Sequence, residues 1–233
     1  MLFRSLKILD PYPQENIGDL YFEMHRQKKE VYVVTAIDPS AWPDGKGAIR
    51  YGFNQALRAD YTDREAFLAA YLQAVNDYRD VRLRIDDLVG ENASIEYYLP
   101  AINDLPENLR QAESSLRQAM YRFTAMQALQ VGDVVTVEPG VPHSLQHGVR
   151  VIEFQTPHYE RFILSFGQQV VTQDHWDTQA ALSEVRLESP QNIRPQSIAP
   201  GQQLIADFDD FRVLRLARSE EHTSELQSPD HLV

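Results

Sequence analysis

The sequence predicts a mainly β protein interrupted by a helical insertion. Three observations predict this class. Short runs rich in aromatic and β-branched residues fill residues 1–37 and return from Leu129 onward. Two segments between them space their apolar residues at the helical interval. Strands and helices are grouped rather than alternating, which argues against a parallel α/β sheet.

The elements follow in order. "LKIL" is the first strand, and a Pro-rich turn separates it from "DLYFEMH" and "EVYVVTAI". Residues 38–48, "DPSAWPDGKGA", read as a turn-rich loop, with "IRYGFN" as a short strand after it. "TDRE" has the capping-box pattern, with Thr62 as N-cap and Glu65 three residues on. Phe67, Ala70, Tyr71, Ala74, Val75 and Tyr78 then form one apolar face. A second helix is expected from Pro106, which suits a first helical position, to about Met126. Leu109, Leu116, Met120 and Phe123 are its stripe. The intervening "LVGENASIEYYLPAIND" has no dominant period. "ALQV", "DVVTVE", "GVRVIEFQ" and "RFILSF" are strands again, followed by "EVRLES" and "FRVLRLA".

The 233 residues suffice for one large domain or one domain plus part of another. A formal charge of −12 argues against a nucleic-acid groove or an anionic membrane as partner. The absence of cysteine excludes disulfides, thiolate catalysis and thiolate-bound zinc. No segment approaches the roughly 18 consecutive apolar residues of a membrane span. "MLFRSLKILDPYPQ" lacks the apolar core and cleavage site of a signal peptide, so a cytoplasmic location is expected. The tail "RSEEHTSELQSPDHLV", residues 218–233, is different in kind. Arg218 to Ser228 back-translates codon for codon onto a common short-read sequencing adapter, so the tail is set aside, and His222 and His231 with it. The gene is then expected to continue past Ala217, and Met1 to be an internal residue of a truncated chain.

"GDVVTVEPGVPHSL", residues 132–145, uses two prolines and a glycine to set His143 just past a strand. Without cysteine, a metal here can be held only by His, Asp and Glu, and at least three must converge. Residues 18–34, "GDLYFEMHRQKKEVYVV", supply the partners. Glu23 and His25 stand at i and i+2, which on a strand puts both on one face. Glu30 follows the polar "RQKK" turn and is expected to extend that face, with His143 closing the set. Glu138 is a weak candidate for a proton-transfer base and is expected to face solvent. His147 is placed on the turn of the His143 hairpin. His175, beside Asp174 and near Asp177, is placed at the surface.

These two stretches resemble the paired motifs of the cupin superfamily. Gly18, Glu23, His25 and Glu30 fall on the first, with Glu in place of the first His and the glycine spacing one short. Gly132, Gly140 and His143 fall on the second, with Glu138 in place of a Pro. "VGDVVTVEPGVPHSL" followed by "GVRVIEFQTPHYERFIL" is similar to the type I mannose-6-phosphate isomerase family, as are "LKILD", "GAIRYGFN" and "APGQQLIADFDDFRVLRL". The resemblance implies a jelly-roll domain over 1–37 and 127–187, with a loop and helical insertion over 38–126. Residues 188–217 would begin a truncated second cupin domain. It implies Glu23 (a Gln in the family), His25, Glu30 and His143 as ligands of one divalent metal. Zinc is the family metal, and the extra carboxylate makes Mn or Fe more compatible. Lys28 and Arg161 take the places of the family's substrate-end Lys and catalytic Arg, although the segment around Arg161 departs from the family pattern. The implied reaction interconverts mannose 6-phosphate and fructose 6-phosphate through a cis-enediolate. An iron oxygenase and a non-catalytic sugar-binding cupin are the alternatives.

Overall fold

The computed structural model describes residues 5–90, 100–170, 172–191 and 193–217. The adapter-like tail and most of "ENASIEYYLP" lie outside them. The described residues up to 191 and those from 193 to 217 form two compact units.

The first unit is built on two antiparallel sheets. One has the order β1-β8-β3-β6, from β1 (Ser5–Leu9), β8 (Val149–Gln155), β3 (Glu30–Ile37) and β6 (Val134–Val137). The other has the order β5-β4-β7-β2-β9, from β5 (Thr124–Leu129), β4 (Gly47–Phe53), β7 (His143–Leu145), β2 (Phe22–Met24) and β9 (Phe162–Ser165). One buried cluster joins their inner faces. Tyr32, Val34, Val135, Val137 and Val151 come from the first sheet, and Ile49, Tyr51, Leu129 and Leu145 from the second. The period-2 alternation of β3 and β8 puts these residues inside and leaves Thr35 and Arg150 exposed.

The helices cover the outside of the second sheet. α1 (Gln55–Ala59) leads into α2 (Arg64–Val89). Phe67, Tyr71, Val75, Tyr78, Val81, Ile85 and Val89 form the buried stripe of α2. They pack with Phe22, Met24, Phe53 and Leu164 of the sheet and with Met120 of α3 (Glu107–Tyr121). Phe53 and Phe67 meet edge to face at 5.5 Å. β2 therefore has two loyalties: Phe22 and Met24 face the helices, and Glu23 faces the sandwich interior.

Four local expectations are corrected. The N-cap of α2 is Asp63, not Thr62, because the Asp63 carboxylate accepts the Ala66 N–H at 2.7 Å. α3 starts after Pro106, which is its N-cap, and ends at Tyr121 rather than near Met126. There the Phe123 carbonyl accepts the Asn54 N–H at 2.8 Å, and residues 124–129 pair with β4 as a strand. β4 is thus a full sheet strand within the segment expected to be insertion. "EVRLES" is not a strand. It follows the short helix α4 (Thr178–Leu182) and buries Val185 and Leu187 against the helical cluster.

The second unit, in its described part, is an antiparallel meander of β10 (Gln196–Ala199), β11 (Gln202–Asp207) and β12 (Arg212–Leu216). No described helix is long and apolar enough to cross a membrane.

Candidate metal centre

The site is assembled from both sheets at one end of the sandwich. In the second sheet, Glu23 lies directly opposite His143, and Tyr51 flanks His143 on its other side. His25 follows the end of β2, and its carbonyl accepts the Gly140 N–H at 2.7 Å. That bond ties the "EPGVPH" turn to the His25 segment. Glu30 opens β3 in the facing sheet, so it meets the other three from across the interior. It does not extend the Glu23–His25 face, as the spacing had led one to expect.

All four predicted ligands come together. Glu23, His25 and His143 offer ligand atoms within 4.8 Å of one another. Glu30 spans the two imidazoles, with Oε1 3.3 Å from His25 Nε2 and Oε2 3.0 Å from His143 Nε2. His25, Glu30 and His143 are buried. Tyr32 donates to Glu30 Oε2 at 2.7 Å. His143 Nδ1 lies 3.1 Å from the Val141 carbonyl, which can only accept, so Nδ1 carries a hydrogen and Nε2 faces the site.

The protonation balance follows from this packing. Burial lowers the pKa of His25. Burial acts the same way on His143, but the facing Glu30 carboxylate overrides it and the net shift is upward. Burial pushes Glu30 up, while His143 and His25 together hold it well below the usual carboxylate range.

The donor set fits a divalent cation. Among the described residues, Nε2 of His25 and Nε2 of His143, which face the two oxygens of Glu30, are buried without a hydrogen-bond partner. Each such group costs roughly 1–3 kcal/mol if left unmet, and a cation held between the two imidazoles would relieve both. Two imidazoles and carboxylate oxygens suit Zn, Mn or Fe.

The residues expected at the substrate end are also here. Lys28 and Arg161 line the same cavity as Glu23, Glu30 and His143. Each is already paired: Lys28 Nζ lies 2.5 Å from Glu30 Oε1, and Arg161 Nε lies 2.7 Å from Glu23 Oε2. Glu138 is half-exposed, pairs with Arg186 at 2.7 Å and lines a different cavity, which removes it as a base for this site. His147 stacks on Trp42 and bonds Asp19 at 2.7 Å, a structural cluster. His175 is exposed beside Asp174 and Asp177, as expected.

Sequence reasoning missed Glu153 and Lys7. Both line the cavity, Glu153 is buried, and Lys7 Nζ lies 3.3 Å from Glu153 Oε1 and 2.6 Å from Gln155 Oε1. Burial, and after it the Glu30 charge, push the Glu153 carboxyl up to about 7. The signal was present in "VRVIEFQ": Val149, Val151, Glu153 and Gln155 share the inward face, and Glu153 breaks an apolar stripe.

Comparison with solved structures decides the architecture. Mannose 6-phosphate isomerase from Bacillus subtilis matches 90% of this chain with 54% of its own, at 13% identity and a TM-score of 0.52. The fold is that of a cupin. A mutant phosphomannose isomerase from Salmonella typhimurium matches 89% of this chain with 61% of its own, at 12% identity and a TM-score of 0.46. A zinc-bound mannose 6-phosphate isomerase matches the same shares, at 12% identity and a TM-score of 0.45. The chain thus spans between half and two thirds of the length of these structures. No family model matches it, and no curated protein matches it in sequence.

Proposed function

We propose that the chain is the catalytic part of a metal-dependent aldose–ketose isomerase acting on a sugar phosphate of the mannose 6-phosphate and fructose 6-phosphate type. The observation that carries this reading is the convergence of Glu23 with the buried His25 and His143, whose Nε2 atoms lack hydrogen-bond partners among the described residues, beside a cavity lined by an ionisable Glu153. His25, His143, Glu23 and Glu30 would hold one divalent cation, Zn in the first instance. When bound, that cation supplies stabilisation of negative charge developing on the substrate oxygens. The chain supplies the rest. Glu153, held by Lys7, would take the proton from the carbon beside the carbonyl and return it to the former carbonyl carbon, while the hydroxyl proton passes from one of the two adjacent substrate oxygens to the other, so no net proton is gained or lost. Lys28, at the cavity wall, would hold Glu30 in place through their ion pair. Residues 188–217 would open a second cupin domain.

The test is direct. The metal-loaded chain should interconvert mannose 6-phosphate and fructose 6-phosphate, and His143→Ala should abolish turnover while leaving the circular dichroism unchanged. A metal-loaded chain with no turnover on either sugar rejects the isomerase reading. One observation favours a second reading: the set of two histidines and one carboxylate also suits an iron(II) oxygenase. Metal analysis after expression separates them, since selective retention of iron would support the oxygenase.

A further inference from the structure

We propose that Arg161 is a positioning residue for the metal centre. It clasps Glu23 Oε2 and leaves Oε1 towards the imidazoles, so that Glu23 serves as a one-oxygen ligand. This rests on the metal-binding part of the proposed function and assigns Arg161 a role different from that of a group touching substrate.

The geometry divides the two oxygens of Glu23. Oε1 lies 3.7 Å from His25 Nε2, on the side of the ligand cluster. Oε2 lies 2.7 Å from Arg161 Nε, in an ion pair that lacks in-line hydrogen-bond geometry. Glu23 is mostly buried, and so is much of Arg161. A carboxylate in that position needs a counter-charge, because a buried charge without one is strongly disfavoured. The charges of the cavity are matched one to one: Glu23 with Arg161, Glu30 with Lys28, Glu153 with Lys7. Arg161 therefore spends its charge on the ligand.

Arg161 is itself held in place. Its neighbour Glu160 accepts the backbone N–H groups of Arg26 and Gln27 at 2.9 and 2.8 Å, which locks this loop to the turn following His25. The guanidinium lies beside the Tyr21 ring, 5.1 Å from its centroid. The clasp on Glu23 and the clamp on the His25 turn thus come from adjacent residues. Partners that hold metal ligands from outside typically change metal affinity by about 10–100-fold when removed.

The experiment measures Zn2+ affinity of the full chain by competition with a chromophoric chelator. Wild type is compared with R161Q, R161K, E23Q and the double variant E23Q/R161Q. R161Q should weaken Zn2+ binding by about 10-fold or more, and R161K should recover part of the loss. E23Q should also weaken binding, and adding R161Q to it should cost nothing further, because the partner is already gone. Wild-type affinity in R161Q, or its full loss added on top of E23Q, overturns the proposal. Should R161Q prove too unstable to titrate, E23Q against the double variant decides alone: equal affinities uphold the clasp and a further loss overturns it. A wild-type chain that binds none of Zn2+, Mn2+ and Fe2+ overturns this proposal and the proposed function together. Binding abolished by H143A but indifferent to R161Q overturns this one alone.

Discussion

Glu153 shows how a single inward position acquires chemistry. Burial, followed by repulsion from Glu30, raises its carboxyl to about 7, and the ammonium groups of Lys7 and Lys28 oppose part of that rise. A proton acceptor must be ionised, so turnover should rise with pH as Glu153 loses its proton. Glu153→Gln is expected to lower kcat by about 10²–10⁴-fold and to remove that acidic limb. A pH–rate profile of the variant that keeps both the rate and the limb would move the base elsewhere. The same shift has a stability consequence in the metal-free chain. The folded carboxyl keeps its proton to higher pH than the unfolded one, whose pKa is near 4.5. Stability attributable to Glu153 is therefore full below 4.5 and is lost as pH rises towards about 7. Urea titrations across that window should show the decline in the wild type and a flatter course in Glu153→Gln.

At the scale of elements, the turn before β7 decides where His143 stands. Gly140 has φ +79°, and a Cβ there would lie 3.1 Å from Arg186 Cγ and 3.2 Å from the Glu184 carbonyl. Its N–H holds the His25 carbonyl, while the Pro142 carbonyl accepts the Gly52 N–H at 2.8 Å. Gly140→Ala should cost roughly 1–2 kcal/mol from the left-handed backbone alone. It should also weaken Zn2+ binding, since the His25 and His143 segments share that hydrogen bond. Unfolding and metal titrations of the variant check the two effects separately. This turn was legible in the sequence, because a Pro-Gly and a Pro-His have few conformations to choose from. So were β3, which matches "EVYVVTAI" residue for residue, and the apolar stripe of α2. The end of α3 was not, because the Asn54 N–H and the pairing of residues 124–129 with β4 claim that segment, and both come from far along the chain. Glu30 lies between the two imidazoles, but on the facing sheet and not on the face of Glu23 and His25. Spacing within a chain sets which face of a strand a residue takes, and says nothing about which sheet the strand joins. Glu153 was passed over because a lone carboxylate in a strand reads as solvent-facing until the register fixes its neighbours.

At the scale of the molecule, the candidate ligands join elements that the chain keeps apart. Glu30 comes from the first sheet, and Glu23 and His143 from the second, with α2 and α3 inserted between them in sequence. The sheets meet through an apolar cluster, and at this end ion pairs join them beside buried groups that lack hydrogen-bond partners among the described residues. A cation bound by both sheets would cross-link the sandwich at its least satisfied point, and an unfolded chain has no such preformed site. Binding must then appear as stability. Free metal at 100 times its dissociation constant should add about 2.7 kcal/mol. For a chain of this size that corresponds to a rise in Tm of roughly 5–10 °C. Thermal melts with Zn2+, Mn2+ and Fe2+ should show the increment for the metal that fits, and EDTA should reverse it. In His143→Ala the metal-dependent increment should vanish, whatever the melting temperature of the metal-free variant. An unchanged Tm with all three ions in the wild type would mean that the buried imidazoles serve packing alone. A shift that survives His143→Ala would place the cation elsewhere on the chain.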